Sequence, residues 1–182
     1  MATRRHDELV GSDTVAERTG RPREEWHGLL DAAGATSWTH KQIADWLVTE
    51  HGVDGWWAQG ITVGYEQARG MRLPGQRPDG TFDANASKTI ARGAQEVFPH
   101  LAEDALRSAW LGEGWHVTTA TAPKRVRLRS EDGSRAVLEV TAVSPVKTRV
   151  SVQHAKLPDP DTVAEKKTFW REALDRLAAS LG

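Results

Sequence analysis

The chain has 182 residues, 38% apolar and 27% charged, enough for one medium globular domain or two small ones with a buried core. A formal net charge of −1 excludes a general attraction to nucleic acid or anionic lipid, and the absence of cysteine excludes disulfides, thiolate metal sites and cysteine nucleophiles. Tryptophan is over-used, with eight against three Phe and one Tyr, and Trp26, Trp38, Trp46, Trp56 and Trp57 crowd into the first third.

Residues 1–11 open with Met1-Ala-Thr-Arg-Arg-His6, hold no apolar stretch and read as a flexible N-terminus without a signal peptide. No run approaches the roughly 20 apolar residues that cross a bilayer, so the cytoplasm is the expected location. Residues 12–70 read as a Trp-rich helical domain. Ser12-Asp13 can cap a short helix that ends at Thr19-Gly20. Pro22 takes a first-turn position of the next, with Glu24 and Glu25 near its positive end. Trp26, Leu29 and Leu30 follow i, i+3, i+4 spacing until Gly34 stops the run. Thr39 can cap a helix carrying Ile43, Trp46 and Leu47 as far as Gly52. Asp54 caps another, with Trp57, Ile61 and Tyr65 at intervals of four and Gly70 at its end.

Residues 71–81 hold Pro74, Gly75, Pro78 and Gly80 and read as a linker. Net charge changes across them, from −3 over residues 21–70 to +2 over residues 82–182. A strand is expected over 84–90, then helix over 94–111 that Pro99 should kink or split. Alternation follows: Trp115, Val117 and Thr119 should share one face, and Val126 and Leu128 should oppose Arg125, Arg127 and Arg129. Asp132-Gly133 marks a hairpin turn. Strands are expected over 137–143 and 149–154, and Asp159-Pro160-Asp161 opens a long helix with Val163, Trp170, Leu174, Leu177 and Leu181 on one stripe. The stripe must pack on something, and an antiparallel sheet precedes it. The fold class is therefore α+β, a small all-helical domain followed by an antiparallel sheet packed on a long C-terminal helix.

That order of elements resembles the helix-grip arrangement of the START-like (SRPBCC) superfamily, in particular its bacterial branch of heat-shock-ATPase-activator homologues. The residues that carry the resemblance are Ser87-Lys-Thr-Ile90, Val97-Phe98, Arg107-Ser-Ala-Trp-Leu111, Thr148-Arg-Val-Ser-Val-Gln-His154 and Phe169-Trp170 with Leu174, Leu177 and Leu181. It covers residues 82–182. Residues 12–80 resemble a domain of unknown function commonly fused upstream of it, on Thr19-Gly20, Glu25-Trp26, Glu50-His51-Gly52, Trp56-Trp57-Ala58-Gln59, Val63-Gly64-Tyr65-Glu66 and Arg69-Gly70. The resemblance implies a small apolar ligand held between sheet and final helix, with Phe98, Trp110, Val117, Val140 and Trp170 as candidate lining. The segment is shorter than the domains of that family with generous cavities, which implies a small cavity or a filled core.

No catalytic residue, cofactor or metal is expected. His40 and His51 are too far apart to share a metal, His154 falls on a strand, His100 and His116 are isolated, and Ser87, Ser134 and Ser151 have no nucleophile-elbow context. Lys124, Arg125, Arg127, Arg129 and Arg135 form a basic stripe that reads as a solvated outer face with Glu131 and Glu139 as cross-strand partners. Residues 39–69 can be laid out as a helix-turn-helix. The net charge of −3 around them serves phosphate binding poorly, so nucleic acid is an improbable partner. Adjacent Trp56 and Trp57 point about 100° apart on a helix. One should pack inside while the other covers an interface with the following domain or a second copy of the chain. The leading expectation is a non-enzymatic ligand binder or stress-related protein-interaction domain. A DNA-binding regulator comes second and a polyketide-cyclase-like enzyme third.

Overall fold

Among the described residues, spacing and caps shape the first part of the chain into four α-helices: α1 (Ser12–Thr19), α2 (Arg23–Ala32), α3 (His40–His51) and α4 (Gly55–Ala68). The structure is a computed structural model and describes residues 10–182; the expected flexible N-terminus lies outside the described residues except for Val10 and Gly11. The chain divides between Gly80 and Thr81 into two units. In the helical unit, Thr39 caps α3 in a capping box: its hydroxyl accepts from the Gln42 N–H, and the Gln42 side chain accepts from the Thr39 N–H at 2.8 Å. Asp54 caps α4 by accepting from the Trp56 N–H at 3.0 Å. Gly52 closes α3 with φ of 66°, a left-handed conformation that costs glycine nothing. Val15, Trp26, Leu30, Ile43, Leu47, Ile61 and Tyr65 meet in one buried cluster. The segment read as a linker is tied back to these helices, with Arg72 bonded to Glu66 and to the Gln76 carbonyl and the Gln76 amide to the Gly80 carbonyl.

The second unit is an antiparallel sheet of β1 (Phe82–Ile90), β2 (Trp115–Thr121), β3 (Arg125–Ser130), β4 (Arg135–Ser144) and β5 (Lys147–Leu157), ordered β1-β5-β4-β3-β2. Helices α5 (Ala94–Ala102), α6 (Asp104–Leu111) and α7 (Pro160–Ser180) complete it. This is an α+β helix-grip arrangement. Period-two alternation puts Val126, Leu128, Ala136, Leu138, Val140, Val150 and Val152 on the inner face, against Trp170, Ala173, Leu174 and Leu177 of α7.

Two sequence expectations are corrected. The helical run over 94–111 divides at Glu103, whose backbone is extended, while Pro99 sits inside α5. The carbonyls left open at the end of α5, Leu101 and Ala102, accept from the buried Arg107 guanidinium, which stabilises an end four residues beyond the proline. Thr119 does not share a face with Trp115 and Val117. A bulge shifts the register between Val117, opposite Leu128, and Thr119, opposite Arg127, so Thr119 turns outward.

Candidate functional site

Each candidate lining residue comes from a different element: Phe98 from α5, Trp110 from α6, Val117 from β2, Val140 from β4 and Trp170 from α7. The fold brings all five into one apolar layer between sheet and helices, with Val117 half-buried and the other four buried. Both indole N–H groups are satisfied there. Trp110 donates to the His100 carbonyl at 2.8 Å, and Trp170 donates to His154 Nδ1 at 3.1 Å.

His154 is the polar exception in this layer. It lies on the inner face of β5, 1% exposed, between Ala84 of β1 and Ala136 of β4. Two methyl side chains at that level of the sheet leave the space above it to the imidazole and to Trp115 and Trp170, whose rings lie 5.7 and 6.1 Å from it. Since Nδ1 accepts from Trp170, the neutral ring carries its proton on Nε2, which is buried without a protein partner. Burial, with a smaller contribution from Lys166, holds the imidazole below its ordinary pKa, so the neutral form persists. Sequence reading left His154 as a strand histidine; the inward β5 alternation of Val150, Val152 and His154 was the signal that it points into the core.

Sequence reading placed Arg107 only within a string that carries the resemblance and gave it no role of its own. It is buried and donates to the carbonyls of Leu101, Ala102 and Trp115, at 3.3, 3.2 and 3.0 Å, and to Asp104, so it joins α5, α6 and the start of β2. On the opposite face of the sheet, Arg125 pairs with Glu139 at 2.6 Å as the cross-strand reading expected. A polar groove of about 540 Å³ there is lined by Asn85, Ser87, Glu139, Ser151 and Gln153.

In the helical unit, Trp57 packs on the buried cluster while Trp56 is 68% exposed, the two rings meeting edge to face at 4.7 Å. With Val15, Ile61 and Val63 they bound an apolar groove of about 240 Å³. The outward positions of α4 are Gly55, Trp56, Gln59 and Ala68, and the helix contains no Lys or Arg. Arg69, just beyond it, is bonded to Asp31. A DNA-reading helix presents cations and amides to phosphates and base edges, and this surface offers one amide.

A partly buried polar cluster joins α3 and α4. His40 Nδ1 lies 3.0 Å from both Glu66 carboxylate oxygens, its Nε2 lies 2.7 Å from Gln59 Oε1, and Arg72 reaches Glu66 at 3.0 Å. The hydrogen bond to Glu66 raises the His40 pKa against the opposing effect of burial. Burial pushes Glu66 up, and the bonds from His40 and Arg72 outweigh it and leave that carboxyl below its usual range. Nearby, Tyr65 donates to Asp31 at 2.8 Å and is pushed up to about 12, first by burial and then by that bond. Among the described residues, no group of three or more His, Asp or Glu is placed to hold a metal ion, and no helix is long and apolar enough to cross a membrane.

No family model and no curated protein matches this chain. Solved structures similar to it include the Aha1 dimer of Colwellia psychrerythraea, 16% identical over 54% of this chain and 95% of that one, with a TM-score of 0.48. An AHSA1-like protein from Rhizobium etli is 14% identical over 56% of this chain and 82% of that one, TM-score 0.46. CalU16 from Micromonospora echinospora is 16% identical over 55% and 76%, TM-score 0.45.

Proposed function

We propose that the helix-grip unit belongs to the START-like superfamily and acts as a non-enzymatic binder of a small apolar molecule bearing one hydrogen-bond acceptor, such as a carbonyl or hydroxyl oxygen. The observation that carries this reading is the His154 imidazole. It is an N–H donor without a protein partner, in an apolar layer walled by Trp115 and Trp170. A buried donor left unpaired costs about 1–3 kcal/mol, and an acceptor on a bound molecule would recover part of that. Phe98, Trp110, Val117 and Val140 continue the apolar lining away from the imidazole. The orientation also supports binding over turnover: among the described residues, His154 is hydrogen-bonded to Trp170 and to no nucleophile it could activate.

Native mass spectrometry of the protein from its own host, beside a His154→Phe variant, tests this. The expected result is a discrete excess mass on the natural chain that disappears on denaturation and is lost from the variant. A bare natural chain, or equal loading of both, refutes the reading.

A further inference from the structure

A second binding site lies in the helical unit, and it stands independently of the reading above. The groove beside Trp56 and Trp57 is apolar except at Arg23 and Gln59, and Arg23 is its one charged wall. Arg23 opens α2, where its backbone N–H donates to Ser12 Oγ at 3.0 Å. Its side chain is held inside the unit, the residue being 6% exposed, and its guanidinium donates to the Val10 carbonyl. The carboxylates of its own helix are hydrogen-bonded elsewhere, Glu24 to Ser12, Glu25 to Arg21 and Asp31 to Arg69, and Glu24 reaches Arg23 only through space. Among the described residues, no ion pair includes Arg23.

A permanently charged side chain taken out of water ordinarily brings a counter-charge with it, because the uncompensated ion is costly. Arg23, with its guanidinium on the carbonyl of Val10, lines a groove of about 240 Å³, below the roughly 300–1,000 Å³ of drug-sized sites. Gly60 lies one turn along α4 from Trp56, where a larger residue would narrow the same groove. Two indoles set edge to face offer both a ring face and a ring edge to a flat apolar body.

We propose that this groove binds a small organic anion, an aryl or short alkyl carboxylate, with its carboxylate on the Arg23 guanidinium and its apolar body against Trp56 and Trp57. The guanidinium supplies the paired N–H geometry that a carboxylate accepts, and the indoles favour a ring over a flexible chain.

The test is isothermal titration of the full chain with 1-naphthoate and, at equal concentration, with neutral 1-naphthalenemethanol. A hydrogen bond to a charged group contributes about 1.5–3 kcal/mol, so 1-naphthoate should bind at least about ten-fold tighter than the alcohol. Trp56→Ala, at an exposed position, should weaken 1-naphthoate binding about ten-fold or more while leaving the fold intact by circular dichroism. Arg23→Gln should abolish the preference for the anion. Should that variant fail to fold, the two-ligand comparison and Trp56→Ala decide the matter without it. Equal affinity for the two probes overturns the proposal, as does no detectable heat. So does a Trp56-dependent dimer in sedimentation velocity that 1-naphthoate leaves undisturbed, because the groove would then belong to a second copy. An Asp7→Asn, Glu8→Gln chain that gains 1-naphthoate binding absent from the natural chain also overturns it, since those carboxylates would be Arg23's partners.

Discussion

Lowering the pH from 7.5 to 5 should cost the helical unit about 2 kcal/mol through one side chain, His27. Its ring lies 5.6 Å from that of Tyr65, edge to face, and its Nε2 is buried without a partner. Burial, with Arg69 and Arg23 adding to it against the opposing carboxylates Glu24 and Asp31, brings its pKa down to about 4. A histidine depressed on folding binds more protons when unfolded, so its stabilising contribution is complete above an unfolded pKa of about 6.5 and is lost as pH falls through the folded value. With a folded pKa of about 4, the loss is about 2 kcal/mol at pH 5 and about 3 kcal/mol at pH 4. His40 works in the other direction: its raised pKa contributes stability that is complete below the unfolded value and disappears as pH rises through the folded one. The assay therefore compares the natural chain with His27→Phe, which keeps a ring at that position and removes the titration. Urea unfolding followed by tryptophan fluorescence at pH 7.5 and 5 should show the natural chain losing about 2 kcal/mol more than the variant. Parallel pH dependence in the two chains, or a His27 imidazole titrating near its ordinary value by NMR, refutes the reasoning.

Arg107→Met, which keeps much of the side-chain volume, strands the carbonyls of Leu101, Ala102 and Trp115 inside the helix-grip unit and should cost about 2–4 kcal/mol in chemical denaturation. Gly93→Ala should destabilise the same unit by about 1–3 kcal/mol in thermal unfolding, although Gly93 has an ordinary φ of −66°. The added Cβ would lie 2.7 Å from the Pro145 carbonyl oxygen in the β4–β5 turn, and backbone has little room to give.

Much of the fold was legible because it rests on local physics. Thr39, Asp54 and Asp159 announced their helices by capping chemistry, and the alternation around Val126 and Leu128 set the inward face of β3. What stayed hidden depends on pairing across distance. Thr119 turns outward because β2 gains one residue against β3, a register event that β2's own sequence does not show. α5 continues past Pro99 because Arg107, a residue of the next helix, takes the carbonyls at its end. Among the candidate residues, the apolar lining was readable as a helical and strand stripe that packs into one core layer. The burial of Arg23, His40 and Glu66 was not, since a single sequence shows which side chains ionise but not which lose their water, and only His154 carried a signal, in the inward alternation of β5.

The bulge in β2 also bears on how the molecule meets its own kind. β2 is an edge of the five-stranded sheet, and an edge strand offers a ready ladder of N–H and C=O groups to any extended chain that arrives. One extra residue after Val117 breaks the even spacing of that ladder and increases its twist. The same irregularity that sends Thr119 outward thus spoils the template on which identical sheets could stack into fibres.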